Sequence, residues 1–321
     1  MKKAAKITAV VLVLALLAAL AACSTESTET AKYNVGICQL VQHDAHNNAT
    51  QGFIDTLNEL LPGEIAFDIQ NASNEIPLCT SIVNQFIANE VDLILANATP
   101  ALQAAAAATN EIPILGTSVT DYAIVMGIDD FNGTVGGNVS GTSDLAPLDL
   151  QADMIAEWFP EAKTVGLLYC SAESNSRYQV DGIQIALESM GCTCMDLSFT
   201  DANDLPLVLE NAVNSCDVVY VPTDNTVAAC SAIIDNYCRP AGLPVIGGDK
   251  GICNACTVAT LGIDYYDLGC KTAEMAAKIL TGEADISAMP IDYADCTYLY
   301  NDELCAELGI AVPNGYNAIT D

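Results

Sequence analysis

The sequence predicts an α/β protein made of two doubly wound, parallel-sheet lobes. Apolar runs of strand length alternate with segments of helical periodicity along most of the chain, and the glycine-rich segment 128–144 divides this alternation into two similar repeats. The runs lack polar alternation, which is typical of parallel strands covered by helices on both faces. The chain length of 321 residues suits two lobes of ordinary domain size.

Each repeat contains four predicted strands, and helical spacing marks the segments between them. Segment 50–61, for example, places Phe53, Leu57 and Leu60 on one helix face. The predicted strands are 33–41, 65–72, 92–98 and 113–119 in the first repeat, and 164–170, 192–199, 217–223 and 243–248 in the second. The predicted helices are 50–61, 76–90, 99–110, 151–159, 175–191, 205–215 and 227–242.

Residues 1–22 are predicted to be a signal peptide, because three lysines precede an apolar run that ends in small residues. The sequence Leu20-Ala21-Ala22-Cys23 resembles the bacterial lipobox, in which cleavage leaves a lipid-modified cysteine. A buried cysteine within a membrane-spanning helix is the alternative. The polar run that follows Cys23 favours a lipid-anchored tether over residues 23–31. We therefore expect an extracytoplasmic protein that contacts the cell membrane through its lipid anchor only.

The charge of the chain argues against two classes of partner. Removal of residues 1–22 would take three of the ten basic residues and none of the 41 acidic ones, leaving a formal charge of −34. A surface of this charge repels nucleic acid and anionic lipid headgroups. The apolar content of 51% argues against disorder.

The chain has thirteen cysteines besides Cys23, an odd number that cannot all pair within one molecule. Cys253-Asn-Ala-Cys256 has the spacing of half a zinc site or of a redox pair. Cys192 and Cys194 have the wrong spacing for the other half, and the histidines lie far away in the sequence. We therefore expect no metal site and no cofactor, while one or two disulfides stay possible.

Candidate functional residues follow the carboxyl ends of the predicted strands, where ligands bind in open α/β sheets. Most of these ends carry hydrogen-bonding side chains. The candidates are Gln39, His43, Thr99 and Ser118 in the first repeat, and Glu173, Asn175, Ser176, Asp224 and Asp249 in the second. Thr99, Asn175 and Asp224 also suit helix N-caps, so capping is an alternative role for each of them. Stretch 169–176, however, carries more polar groups than one cap requires.

Stretches in order along nearly the whole chain resemble the substrate-binding lipoproteins of ABC transporters associated with tryptophan and tyrosine uptake, which have the type I periplasmic-binding-protein fold. The similar stretches are 35–45, 50–57, 91–106, 112–121, 137–144, 160–176, 216–227, 262–269 and 274–283. The chain departs from the family where a proline commonly follows the first-loop histidine, here His43. It departs again where Asp-Pro is common and this chain has Asp121-Tyr122.

The resemblance implies two lobes joined by a three-segment hinge. The N-terminal lobe would comprise residues 32–142 and 263–287, and the C-terminal lobe residues 143–262 and 288–321. It also implies a small-molecule ligand, with an aromatic amino acid favoured, and the permease and ATPase subunits of an ABC importer as partners.

The proposed binding chemistry assigns a role to each end of an amino acid. The hydroxyls of Thr99 and Ser118 and nearby helix amides would meet its carboxylate. Asp224, with Glu173 behind it, would pair with its ammonium. Asn175 and Ser176 would add bonds from the second lobe, and the aromatic ring would lie beside His43 or Tyr122.

Three other functions are alternatives to this one. An enzyme is disfavoured, because no G-x-S-x-G elbow, P-loop or metal set occurs and Cys170 has no histidine nearby in the sequence. A ligand-sensing regulator would need a basic DNA-binding segment, which this acidic chain lacks. A binding protein for another small solute, such as a nucleoside, a short peptide or a cationic metabolite, is the main alternative.

Overall fold

The computed structural model describes residues 31–319, and from Tyr33 onward the chain forms one compact unit. The unit contains two sheets, each covered by helices on both faces, which define a first and a second lobe. The predicted signal peptide and Cys23 lie outside the described residues. Among residues 31–319, no helix is both long enough and apolar enough to span a membrane.

The first sheet has six parallel strands in the order β11-β5-β4-β3-β1-β2. They are β1 (Tyr33–Gln39), β2 (Ile65–Asn71), β3 (Leu93–Asn97), β4 (Ile114–Val119), β5 (Val139–Ser143) and β11 (Asp292–Tyr293). Its helices are α1 (Asp44–Leu60), α2 (Ile76–Ala88), α3 (Thr99–Ala108), α4 (Tyr122–Met126) and α11 (Tyr265–Leu280). Strands β3, β4 and β5 are buried along their whole length, as expected for central strands of a covered sheet.

The second sheet has seven strands in the order β13-β12-β10-β9-β8-β6-β7, and only the β10–β12 pair is antiparallel. They are β6 (Thr164–Cys170), β7 (Thr193–Phe199), β8 (Val218–Val221), β9 (Val245–Gly247), β10 (Ala259–Ile263), β12 (Cys296–Tyr300) and β13 (Asn317–Ala318). Its helices are α5 (Leu148–Trp158), α6 (Ser174–Ser189), α7 (Leu205–Ser215), α8 (Asn225–Ala229), α9 (Ser231–Ala241), α10 (Lys250–Cys256) and α12 (Asp302–Leu308). Short 3₁₀ turns at Ala202–Asp204 and Ile286–Ala288 complete the described secondary structure.

The chain passes between the two sheets three times, after β5, after β10 and after β11. The third passage differs from the predicted boundary at residue 287. Strand β11 pairs with Thr142 and Ser143 of β5, so the first lobe continues to Tyr293. The segment before β11 is also tied to this lobe, because the amide of Ile291 donates to the carbonyl of Gly133 at 2.8 Å.

The first passage also differs in detail, because the glycine-rich segment read as a boundary contains strand β5. This strand is built from small residues, and a Cβ atom at Gly141 would lie 2.1 Å from the carbonyl oxygen of Gly116 on β4. Close approach of the two backbones therefore requires small residues in β5, which lacks the apolar run that predicts the other strands.

The thirteen cysteines of the described part are all free thiols. Cys253 and Cys256 are buried in the second lobe, and burial raises the pKa of the Cys253 thiol to about 12. No cluster of three or more His, Cys, Asp or Glu side chains suited to a metal ion occurs within residues 31–319.

Candidate functional site: the cleft between the lobes

The carboxyl ends of the strands in both sheets face a small cavity between the lobes. The first lobe and its passages contribute His43, His46, Ser118, Thr120, Asp144 and Tyr265. The second lobe contributes Asn175, Thr223, Asp224, Asn225, Ala228 and Asp249. The lining is thus almost entirely polar, includes three carboxylates and contains no lysine or arginine.

Two stacked histidines form the first-lobe wall, with ring centroids 4.0 Å apart. The Nδ1 atom of His46 donates to the carbonyl of Val41 at 3.2 Å. Burial lowers the pKa of His43 to about 4 and holds the pKa of His46 well below its ordinary value. Both imidazoles are therefore neutral at neutral pH. The Nε2 atom of His43 is buried and has no hydrogen-bond partner.

Ser118 lies near the end of β4 with φ +54°, a left-handed conformation that is uncommon for residues other than glycine. Its hydroxyl is buried in the cavity wall and has no hydrogen-bond partner. A residue with a strained backbone and a polar group that has no hydrogen-bond partner is typical of a functional site.

Asn175 supplies an amide from the first turn of α6. Its Nδ2 atom donates to the carbonyl of Thr223 at 3.1 Å, which fixes the orientation of the amide. The Oδ1 atom on the other side is buried and has no partner. The second lobe therefore presents an unpaired acceptor to the cavity.

Asp224 lies at the carboxyl end of β8, at the N-cap of α8, and accepts two backbone hydrogen bonds. Its Oδ2 atom accepts from the amide of Cys170 at 2.7 Å, and its Oδ1 atom accepts from the amide of Val227 at 2.8 Å. Burial and, after it, the charge of Glu173 raise the pKa of Asp224 to about 7, although both backbone bonds oppose this shift. Capping, one of the two roles open from the sequence, is thus a role that Asp224 has in the fold.

Asp249 lies just beyond strand β9 and caps α10, accepting from the amide of Ile252 at 2.9 Å. Burial raises its pKa to about 6, and the nearby charge of Asp144 acts in the same direction. Asp249 is thus the second capping carboxylate that also lines the cavity.

Asp144 and Tyr265 line the cavity from the first two passages and were not among the residues predicted from the sequence. The Tyr265 hydroxyl donates to Oδ2 of Asp144 at 2.9 Å, while Oδ1 is buried without a partner. Burial raises the pKa of Asp144 to about 6, against the opposing effect of the tyrosine bond. Asp144 directly follows β5 and Tyr265 is the second residue after β10, so both lie at strand ends like the predicted residues.

The lobes touch around the cavity. Asn74 of the first lobe donates from Nδ2 to the Thr226 hydroxyl at 3.2 Å, and Gln103 donates from Nε2 to the Ser174 hydroxyl at 3.5 Å. Only about 20 Å³ inside the cavity is accessible to the centre of a water-sized molecule. That space suits about one ordered water molecule. This space is too small for a ligand larger than a water molecule.

Comparison with known proteins identifies the family of this chain. Residues 34–318 match the family described as ABC transporter substrate binding protein. The chain belongs to this family.

Two proteins similar to this substrate-binding protein have a ligand in their name or description. A protein of Clostridioides difficile named tyrosine-binding protein is 34% identical over 273 residues, which cover 84% of this chain and 79% of the relative. A Streptococcus pneumonia ABC domain solved in complex with L-Trp is 27% identical, with a TM-score of 0.84, covering 90% of this chain and all of the other.

A third comparison concerns the separation of the lobes. The ligand-free, open structure of a Clostridium difficile substrate-binding protein is 35% identical, covers 89% of this chain and 99% of the other, and has a TM-score of 0.69. The L-Trp complex therefore superposes better, although its sequence is less similar. The two lobes of this substrate-binding protein contact each other, which agrees with its weaker superposition on the open structure.

Five of the nine predicted site residues line the cavity of the substrate-binding protein, namely His43, Ser118, Asn175, Asp224 and Asp249. Gln39 does not line it. The Nε2 atom of Gln39 donates to Val41 and Asn47, and its Oε1 atom accepts from Thr50. Gln39 thereby supports the loop that ends at His43 and the start of α1, which contains His46.

Glu173, Ser176 and Thr99 are buried near the cleft but do not line this cavity. Both carboxylate oxygens of Glu173 are used by the start of α8, since they accept from the backbone and side chains of Asn225 and Thr226. Ser176 accepts from Nδ2 of Asn175 at 3.3 Å. Tyr122, considered as a neighbour for an aromatic ring, instead belongs to the core of the first lobe, where its hydroxyl donates to the carbonyl of Thr142.

Proposed function

We propose that this protein captures a small zwitterionic solute, an aromatic amino acid foremost, and delivers it to the permease of an ABC importer. The observation that carries the proposal is the cavity between the lobes, whose lining combines unpaired hydrogen-bonding atoms with three carboxylates and no lysine or arginine. The names of two relatives, one tyrosine-binding and one solved with L-Trp, support the choice of ligand. The protein acts by recognition and closure, without a chemical step.

Both lobes contribute to recognition. In the closed cleft the Ser118 hydroxyl faces the ligand from the first lobe and the Asn175 amide from the second. Asp144, Asp224 and Asp249 give the cavity a negative character that favours a cationic group. A ligand that bridges the lobes satisfies more of these groups than either lobe can alone, so binding is coupled to hinge closure.

Ligand entry requires the lobes to separate, because the cavity described above has room for about one water molecule. The three passages between the lobes are the natural hinge. The closed form would then be recognised by the permease, whose ATPase subunits drive transport. The aromatic ring needs space that opening provides, beside the neutral rings of His43 and His46.

A thermal-shift panel on the chain from residue 24 tests the ligand class. The panel comprises the twenty amino acids, their N-acetyl forms, short peptides, nucleosides and polyamines. A ligand at one hundred times its dissociation constant stabilises the protein by about 2.7 kcal/mol, which is readily seen as a melting shift. We expect L-Tyr, L-Trp or L-Phe to respond while their N-acetyl forms do not.

A cationic metabolite is the second candidate ligand, because the cavity has three carboxylates but Ala228 as its sole aliphatic side chain. A response to polyamines without any response to amino acids would select this candidate. A response restricted to nucleosides or neutral peptides would overturn the amino-acid assignment but leave the transport role unchanged.

The protein is held at the outer face of the cell membrane by lipid on Cys23, after removal of residues 1–22. The motif Leu20-Ala21-Ala22-Cys23 and the polar tether after it support this anchor. We expect Cys23→Ser to move the protein from the membrane fraction to the soluble or secreted fraction without changing its ligand affinity. Retention of the variant in the detergent phase after phase partitioning would count against lipidation.

A further inference from the structure

Unpaired polar atoms are concentrated in the cavity between the lobes. Buried polar side-chain atoms in folded proteins nearly always have a hydrogen-bond partner. Eight such atoms in the described part of the chain have none. Four of the eight line this one small cavity, on His43, Ser118, Asp144 and Asn175. This concentration indicates groups reserved for a ligand.

The unpaired atoms are mainly acceptors. The free atom of Asp144 is a carboxylate oxygen and that of Asn175 is an amide oxygen, while the Ser118 hydroxyl can accept or donate. The orientation of the Asn175 amide is set by its Nδ2 bond to Thr223. A ligand group that satisfies two acceptors, one of them charged, must be a donor and is best a cation.

The three cavity carboxylates differ in the hydrogen bonds that their oxygens already accept from other groups of the protein. Each oxygen of Asp224 accepts a short backbone hydrogen bond, and Oδ1 of Asp249 accepts another. These residues are fixed as helix caps. Asp144 caps no helix. One of its oxygens accepts from the Tyr265 hydroxyl, and the other is buried without a hydrogen-bond partner.

We infer that Asp144, with Oδ1 of Asn175, receives the cationic group of the ligand, and that Asp224 serves chiefly as the cap of α8. The inference rests on the proposed capture of a zwitterionic solute and reassigns the ammonium partner that the sequence predicted. Asp144 lies at the first passage between the lobes and Asn175 on the second lobe. Their joint contact with one ammonium therefore draws the lobes together across the hinge.

The test is Asp144→Asn in the chain from residue 24, measured by calorimetry with L-tyrosine and L-tryptophan. Each ligand is compared with its deaminated analogue, 3-(4-hydroxyphenyl)propionate or indole-3-propionate. Loss of one member of a buried charge pair weakens binding by about thirtyfold to several-thousandfold. We expect this loss for the amino acids, and a change of less than about threefold for the analogues. The preference for a free amine should thus disappear.

Asp224→Asn is the comparison variant, because it also neutralises a buried carboxylate of the cavity, the one that the sequence predicted as the ammonium partner. It exchanges one acceptor oxygen for an amide group, so the backbone amide of Cys170 or of Val227 loses its acceptor. The melting temperature should therefore fall while the protein keeps its preference for the free amine. The inference is overturned if Asp144→Asn retains that preference, or if Asp224→Asn alone removes it. Should Asp144→Asn fail to fold, Asp144→Glu decides: displacement of the charge should weaken L-tyrosine binding at least about tenfold, and unchanged affinity would overturn the assignment.

The wild-type responses separate this inference from the proposed function. If the wild type binds spermidine and no amino acid, the amino-acid assignment is wrong, and Asp144→Asn is then tested against spermidine with the same expected loss. If the wild type binds only uncharged or anionic solutes, both the ligand class and the role of Asp144 are contradicted. If it binds L-tyrosine and Asp144→Asn binds it equally well, only the role of Asp144 fails.

Discussion

Substitution of two glycines at the contact between α1 and α11 should destabilise the first lobe. A Cβ atom at Gly52 of α1 would lie 2.1 Å from the carbonyl oxygen of Tyr266, and one at Gly269 of α11 would lie 2.1 Å from the carbonyl oxygen of Ala49. Cβ atoms do not approach other heavy atoms this closely. Because both obstacles are backbone atoms, Gly52→Ala or Gly269→Ala can be accommodated only if the two helices separate.

The expected magnitude follows from two opposing effects. Alanine is favoured over glycine inside a helix by about 0.8–1.0 kcal/mol. Forcing a methyl group into filled space costs about 1–3 kcal/mol, and a rigid backbone obstacle places these sites at the upper end. We therefore expect each variant to lose about 1–2 kcal/mol of unfolding free energy, or about 2–6 °C in melting temperature. Displacement of α11 should also weaken ligand binding, because Tyr265 at its start lines the cavity.

Thermal melts of the ligand-free protein and of the protein with ligand measure both effects. Gly182→Ala in α6 is the matched control, because the new methyl would meet Cδ1 of Leu148, the end of a flexible side chain, at 2.5 Å. This control should melt at or slightly above the wild-type temperature. If Gly52→Ala and Gly269→Ala behave like the control, the close backbone contact does not hold the lobe together and the reasoning fails.

Three further predictions concern the cleft. Asp144 has a pKa of about 6, raised above the unfolded value of 3.8, so its ionisation destabilises the fold as the pH rises from about 4 to 6, whereas the lowered pKa values of His43 and His46 act in the opposite direction. The histidine effect is shared by wild type and Asp144→Asn, so the melting temperature of the ligand-free wild type relative to that of Asp144→Asn should fall from pH 5 to pH 8, and a constant difference would contradict this. Tyr265→Phe removes the donor to Asp144, so its melting temperature should drop more at pH 8, where the carboxylate is ionised, than at pH 5. Glu173→Gln leaves a donor of Asn225 or Thr226 unpaired and should cost about 1.5–3 kcal/mol in denaturant unfolding, whereas Glu188→Gln on the exposed end of α6 should cost little.

The sequence allowed the paired α/β lobes and the position of the cleft to be predicted, because uniformly apolar strands and polar strand ends are local signals. His43, Ser118, Asn175, Asp224 and Asp249 were found in this way, and all five line the cavity. The sequence does not show which of these polar groups bond to other parts of the fold and which stay free for a ligand. Glu173 is spent on the start of α8, more than fifty residues along the chain, and such a partner is fixed only by tertiary packing.

Two of the cavity residues that were not predicted from the sequence, Asp144 and Tyr265, follow two central strands that were not predicted either. Strand β5 lacks an apolar run because Gly141 must approach Gly116, and β10 (Ala259–Ile263) is short and interrupted by Gly262. Where two sheets share their passages, these strands lead directly into the hinge, so a ligand group placed after them senses the relative position of the lobes. Because the strands that lead into the hinge lack an apolar run, the sequence does not reveal the residues best placed to couple ligand binding to closure.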